Sequence, residues 1–239
     1  MKNAIKKISA VALAFTLLGT GAAAANNGST KTGNTIAASA AEDVTLKFND
    51  VNGTDAFVYA VQYVYSRNIM NGTSDNTFSP SMAMTRAQFV TALYNMAGKP
   101  KVNYKPVFDD VKKGQWYTPA VIWAADNKIT SGIGGNKFGT DQKISKEQTA
   151  TMLYRYELLE NPASEKNTDK KALETFKDRD MVSPWAGDAV KWAVYNKIIR
   201  VKGDSGKLAP QDKVSRAECA EMIKNYFDSK TAPFIFIEI

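Results

Sequence analysis

The sequence predicts a mainly α-helical protein built from three copies of one helix–loop–helix unit. Three observations predict it. Phe48-Asn49-Asp50-Val51 returns sixty residues on as Phe108-Asp109-Asp110-Val111, and again as Phe176-Lys177-Asp178. Each return is followed by the same succession: an apolar run at helical spacing, a loop holding one large apolar residue, then a hydroxyl–cation pair opening a second run. The copies occupy residues 46–99, 106–160 and 174–229, so each is a supersecondary element that must pack against its copies. Three like elements on one chain also favour avidity over a single catalytic centre.

Along the chain, Lys2, Lys6 and Lys7 precede an apolar run, 8–18, and small residues follow up to Ala25. A bilayer crossing needs about 20 apolar residues, so 1–25 reads as a cleaved secretory signal. No later stretch is apolar for long enough to span a membrane. Cleavage removes three lysines and no acid, so the formal excess of +7 shrinks to a mild basic balance. Such a balance suits an anionic polymer but does not argue for nucleic acid. Residues 26–45 are small and polar and read as a linker.

In the first unit Phe57, Ala60, Val61 and Val64 make one apolar helix face. In the second, Thr118-Pro119 predicts an N-cap and a proline at the first helical position, ahead of Val121, Trp123, Ala124 and Ala125. Ser183-Pro184 repeats the device ahead of Trp185, Ala189, Val190, Trp192 and Ala193. These helices are expected to stop at Arg67-Asn68, Asn127-Lys128 and Asn196-Lys197, where an isoleucine and a glycine-rich loop follow. The loops, 71–84, 131–144 and 200–214, carry Phe78, Phe138 and Leu208 to pin them to the bundle. Second helices then open on Thr85-Arg86-Ala87-Gln88, Ser145-Lys146-Glu147-Gln148 and Ser215-Arg216-Ala217-Glu218, each a capping box. A charged connector, 160–175, joins the second unit to the third. The apolar tail, 230–239, ends on Phe234, Ile235, Phe236 and Ile237 before Glu238 and Ile239. It is expected to fold back on the bundle or to pair as an edge strand.

The chain has no histidine, which excludes Ser-His-Asp and Cys-His catalysis and the common His-containing zinc sites. The one cysteine, Cys219, lies in a helical apolar run and reads as core. A two-carboxylate glycosidase remains formally possible, but among 24 acids the nearness of two carries no weight. No enzyme, cofactor or metal is expected. The distinctive chemistry is a cation at the first helical position of each second helix: Arg86, Lys146 and Arg216. There the helix dipole disfavours positive charge by a few tenths to about 1 kcal/mol. Either an anion held between the cation and the helix N–H groups or a salt bridge to Asp50, Asp110 or Asp178 would offset it.

The ordered run from Phe-x-Asp-Val, through Trp-Tyr-x-x-Ala-Val and a glycine loop, to Thr-Arg-Ala-Gln or Ser-Arg-Ala-Glu resembles the S-layer homology domain over residues 46–229. The resemblance implies a pseudo-threefold helical bundle. It also implies noncovalent anchoring to the bacterial cell wall, through an anionic, often pyruvylated, secondary polysaccharide attached to peptidoglycan. Arg86, Lys146 and Arg216 would then pair with the sugar carboxylate in grooves between units. Gly72 and Gly132 would let loop backbone approach, Trp116 and Trp185 would face the groove or the core, and Asp50, Asp110 and Asp178 would orient the cations, meet hydroxyls or be structural. Four departures from the pattern stand out: Ala56-Phe57 where the second unit has Trp116-Tyr117, Lys146 for arginine, Gly139-Thr140 for x-Pro, and Val201 near the first loop glycine of the third unit. They predict at most two competent grooves, with the third unit's most affected. The alternatives are an envelope scaffold recruiting a partner through Phe234 to Ile239 and, on weaker grounds, a wall hydrolase.

Overall fold

A computed structural model of the protein describes residues 47–200 and 206–231. The expected signal segment and linker, Val201 and the apolar tail from Ala232 onward lie outside the described residues. Six α-helices form the body: α1 Val58–Ser66, α2 Arg86–Met96, α3 Thr118–Asp126, α4 Lys146–Glu160, α5 Gly187–Tyr195 and α6 Arg216–Thr231. Three short 3-10 turns, Pro162–Lys166, Arg179–Met181 and Pro184–Ala186, fill the connector and the approach to α5. The fold is mainly α, with two helices from each repeated unit.

The helices do not pair within units. Instead α2 packs on α3, α4 on α5 and α6 on α1, so each unit lends its second helix to the first helix of the next, and the third unit closes on the first. The backbone repeats this circuit at the centre. Met84 N donates to Val214 O at 2.9 Å, Val214 N to Ile144 O at 3.1 Å, and Ile144 N to Met84 O at 3.0 Å. Three backbone segments from three units therefore meet, and Met84, Ile144 and Val214 are all buried. Phe78, Phe138 and Leu208 are fully buried beneath their loops, as the sequence predicts for pins. Each such burial contributes about 1.5–3 kcal/mol.

The capping boxes form as the sequence predicts. Thr85 and Ser145 accept from the amides of Gln88 and Gln148, which return their side-chain oxygens to the cap amides. Ser215 and Glu218 do the same. The first helices end at Arg67, Asn127 and Asn196, as the sequence predicts, but begin differently from expectation. Neither Thr118 nor Ser183 caps: Thr118 Oγ1 donates to Lys112 O, and Ser183 Oγ donates to Glu147. The helix ends turn on Asn68, Lys128 and Lys197, all at positive φ between 55° and 59°, with no glycine involved. The next isoleucine amide reaches back to Val64, Ala124 or Ala193 O at 2.8 Å each. That is the Schellman closure, and its apolar residue, Ile69, Ile129 or Ile198, is buried.

At the far ends of the second helices, ring contacts run from Tyr94 through Trp123, Tyr156, Tyr226 and Trp192 to Tyr154. Beside them the buried Glu157 carboxylate accepts from Tyr226 Oη at 2.7 Å and from Ser164 Oγ, and pairs with Lys230. This cluster fastens the 3-10 turn Pro162–Lys166 and the end of α6 to α4. Burial and the neighbouring carboxylate push the Tyr226 hydroxyl far up, so it stays a neutral donor. Cys219 is fully buried and its thiol is pushed up by burial, leaving it an apolar core residue.

Candidate functional site

The cations at the second-helix starts reach across seams between units, following the same circuit as the helices. Arg86 Nε of the first unit donates to Phe138 O in the second unit's loop at 2.9 Å. Lys146 Nζ donates to Leu208 O at 2.6 Å in the third. Arg216 Nε donates to Phe78 O at 2.8 Å, and its Nη2 to Asn71 O at 2.5 Å, back in the first. The two guanidiniums also lie over the Phe138 and Phe78 rings, 4.9 and 4.6 Å from their centroids.

Neither sequence reading of these cations is complete. Among the described residues no salt bridge joins them to Asp50, Asp110 or Asp178. The helix-start amides are not open to a ligand either: Arg86 N and Ala87 N donate to Gln142 O and Thr140 O, Lys146 N and Glu147 N to Asp212 O and Pro210 O, and Arg216 N and Ala217 N to Met82 O and Pro80 O. The next loop's carbonyls receive both the amides and the cation, and this offsets the dipole cost. Arg86 and Arg216 are only 3% and 5% exposed. Burial lowers both guanidiniums, Arg86 to about 10 against the opposing pull of Asp110, so both are charged at neutral pH. Each keeps Nη1 without a protein acceptor among the described residues, and that atom is not sealed from solvent.

The aspartates shape the loops. Asp50 accepts from Phe78 N and Ser79 N at 2.8 and 2.7 Å, Asp110 from Phe138 N and Gly139 N at 2.7 Å each, and Asp178 from Leu208 N and Ala209 N at 2.8 Å each. Both carboxylate oxygens are thus committed to the backbone. The residues they fix, Ser79, Gly139 and Ala209, all sit at positive φ, so Gly139 is the unstrained version of a shared turn. Thr140 O fills the role of Pro80 O and Pro210 O, and the missing x-Pro costs no contact. Gly72 and Gly132 have a local reason too: a Cβ at either would strike its own loop's carbonyls and the ring of Phe48 or Phe108.

Between the units these parts build grooves. One, of about 720 Å³, is lined by Arg86, the 129–134 loop segment with Gly132, the flank of α4, and Trp185 of the third unit. A second, of about 470 Å³, has Lys146, the 198–200 segment, the flank of α6, and Ala56 of the first unit at the corresponding places. Each groove therefore takes its cation, its loop and its wall residue from three different units. At the third junction Arg216 reaches the first unit's loop at Asn71 O, one residue before Gly72, and Trp116, the repeat counterpart of Trp185, is 61% exposed. Counted by unit, the departures scatter. Counted by groove, three of them coincide: the lysine, the loop without the first glycine and the alanine in place of tryptophan all belong to the Lys146 junction. Its charges are also mixed, since Glu218, Glu221 and Asp228 line it alongside four cations. The Arg86 groove has two guanidiniums, Arg86 and Arg155, and no carboxylate in its lining.

Two contributors were not visible in the sequence as site residues. Arg155 is one. The other is Glu147, buried at the start of α4, whose carboxylate accepts from Ser183 N and Ser183 Oγ at 3.0 Å each and so holds the turn carrying Trp185. Ala87 and Ala217 occupy its place in the other units, so a comparison of repeats marks it as odd but gives no partner. Glu147→Ala is expected to lower stability by about 1–3 kcal/mol, because it leaves the Ser183 amide unpaired. Urea unfolding checks this, and a change below about 0.5 kcal/mol would mean the turn is held by other contacts. Among the described residues no group of three or more His, Cys, Asp or Glu side chains could hold a metal ion. No helix among them is long and apolar enough to cross a membrane.

A sequence profile of the S-layer homology domain matches three times in tandem, at residues 47–90, 107–150 and 175–220. The chain is 30% identical over 177 residues to an amylopullulanase of Thermoanaerobacterium thermosulfurigenes, covering 74% of this chain and 9% of that one. It is 25% identical over 192 residues to the surface-layer 125 kDa protein of Lysinibacillus sphaericus, covering 78% and 15%. With the S-layer protein sap of Bacillus anthracis it shares 26% over 177 residues, covering 74% and 20%. The chain thus spans a fifth or less of the length of these relatives.

Proposed function

The chain belongs to the S-layer homology domain family, and on that premise we propose that it attaches noncovalently to the bacterial cell wall by binding an anionic secondary polysaccharide, its pyruvylated sugar seated in the Arg86 and Arg216 grooves. The family is one of binding and anchoring modules, found in surface-layer proteins and attached to much longer glycoside-acting chains. The observation that carries the reading is the Arg86 groove itself: two guanidiniums, an exposed indole and no carboxylate in the lining. A buried arginine with one terminal nitrogen left over can meet a sugar carboxylate in a charge-assisted bond. The indole offers a face to the sugar ring. In this reading the protein is exported by its first 25 residues and acts as a binding module rather than an enzyme.

One ligand held through Arg86 and another through Arg216 would give a specific pattern in co-sedimentation with purified sacculi, before and after acid stripping of the secondary polymer. Arg86→Ala or Arg216→Ala is expected to weaken retention by about tenfold to a hundredfold, and the pair together to abolish it. Lys146→Ala is expected to change it less than about twofold. Thermal melts of each variant separate lost binding from lost fold. Retention that survives stripping would assign the grip to peptidoglycan instead. The envelope-partner alternative rests on Phe234 to Ile239, which lie outside the described residues.

A further inference from the structure

Arg155 lies on the second helix of its unit at the same distance from the helix start as Asn95 and Asn225 do in the others. All three serve one structural purpose. Asn95 Nδ2 donates to Ile69 O at 3.0 Å and Asn225 Nδ2 to Ile198 O at 3.1 Å, while Arg155 Nη1 reaches Ile129 O at 3.4 Å. The asparagines fulfil that contact with a short side chain and a better distance. The arginine makes it poorly, and among the described residues it is the only hydrogen bond the guanidinium has. Its remaining donors belong to a half-buried side chain in the wall of the Arg86 groove. Two like charges lining one groove with no carboxylate beside them repel each other, and an anion between them reverses the sign of that interaction.

We propose that Arg155 is a specificity-determining residue that makes the Arg86 groove the tighter of the two anion sites, by giving the bound carboxylate a second guanidinium. This rests on the reading of the grooves as anion sites. It ranks them: the Arg86 groove, where Arg155 adds a second guanidinium, binds first, and the Arg216 site, where Asn95 stands in the place of Arg155, binds second. The planar fork matters as well as the charge, since a bidentate guanidinium fixes the orientation of the carboxylate.

Arg155→Asn tests this without disturbing the fold, because it installs the residue the other two units use for the same carbonyl. Calorimetric titration of the protein with a monosaccharide bearing one pyruvate ketal, and with its neutral methyl ester, supplies the readout. The wild type is expected to show a tighter and a weaker site for the acid and to lose the difference with the ester. Arg155→Asn is expected to weaken the tighter site by about fivefold to fiftyfold, so that the two become alike. Asn95→Arg is expected to tighten the Arg216 site. Two sites unchanged by Arg155→Asn, while Arg86→Ala removes the tighter one, would overturn the proposal and leave the groove reading intact. Binding of the acid unmoved by either Arg86→Ala or Arg216→Ala would overturn the groove reading and this inference with it.

Discussion

A chain ending at Ser215, without α6, is expected to be unfolded and not a stable two-unit remnant. The circuit of helix pairs leaves no self-sufficient unit: α1 loses its partner, because α6 and not α2 covers it. The first unit's loop loses Arg216, whose Nε and Nη2 satisfy Phe78 O and Asn71 O. Buried Cys219, Ile223 and Tyr226 also go, each contributing on the order of 1.5–3 kcal/mol of burial. With two carbonyls left unpaired, those losses sum to about 6–15 kcal/mol, as much as the 5–15 kcal/mol by which whole domains are stable. Far-UV circular dichroism with a urea titration checks the expectation, which is little helix and no cooperative transition. A sharp transition with most of the helix retained would show that the units fold by themselves and that closure is incidental.

Asp110→Ala is expected to cost about 2–4 kcal/mol, since two backbone amides under the loop lose a charged acceptor at once. Burial alone would raise the Asp110 carboxyl, but the amides of Phe138, Gly139 and Thr140 and its own outweigh it and hold it below its ordinary value of 3.8. Asp178 is depressed in the same way by Leu208 and Ala209, with Lys207 assisting. A depressed folded-state pKa stabilises the fold above the unfolded value and loses that contribution as pH falls through the folded one. Wild-type stability is therefore expected to fall below about pH 4, near the unfolded value. Asp110→Ala should start lower and decline less steeply. Melting temperatures between pH 2.5 and 7 decide it: parallel curves would mean that the carboxylate does not carry the acid sensitivity.

What the sequence makes legible here is whatever is local. A capping box fits in four residues, so Thr85, Ser145 and Ser215 announce their helices, and the repeat supplies their number and order. Phe78, Phe138 and Leu208 read as pins because an apolar residue amid polar loop has few other uses. The pairing of helices is different. Nothing in α1 says that its partner lies in α6 more than 150 residues later, and both within-unit and between-unit packing satisfy the same apolar faces. The central circuit of Met84, Ile144 and Val214 has one residue per unit, too short to show strand periodicity. The left-handed turns at Asn68, Lys128 and Lys197 carry no glycine to mark them. The site suffered most from being sorted by unit. Arg86, Gly132 and Trp185 are individually visible, yet only the rotation between units places them in one groove.

On the proposed reading, the seam-crossing position of Arg86 and Arg216 gives the attachment a mechanical property. A ligand in such a groove touches the second helix of one unit and the loop of the next, so pulling those units apart must also expel it. At a ligand concentration a hundredfold above Kd, occupancy adds about 2.7 kcal/mol to the stability of the closed body. Tension on a chain that is itself tethered would then meet its greatest resistance when the tether is engaged, and the weakest joint would be the Lys146 seam, where no such ligand is expected to sit.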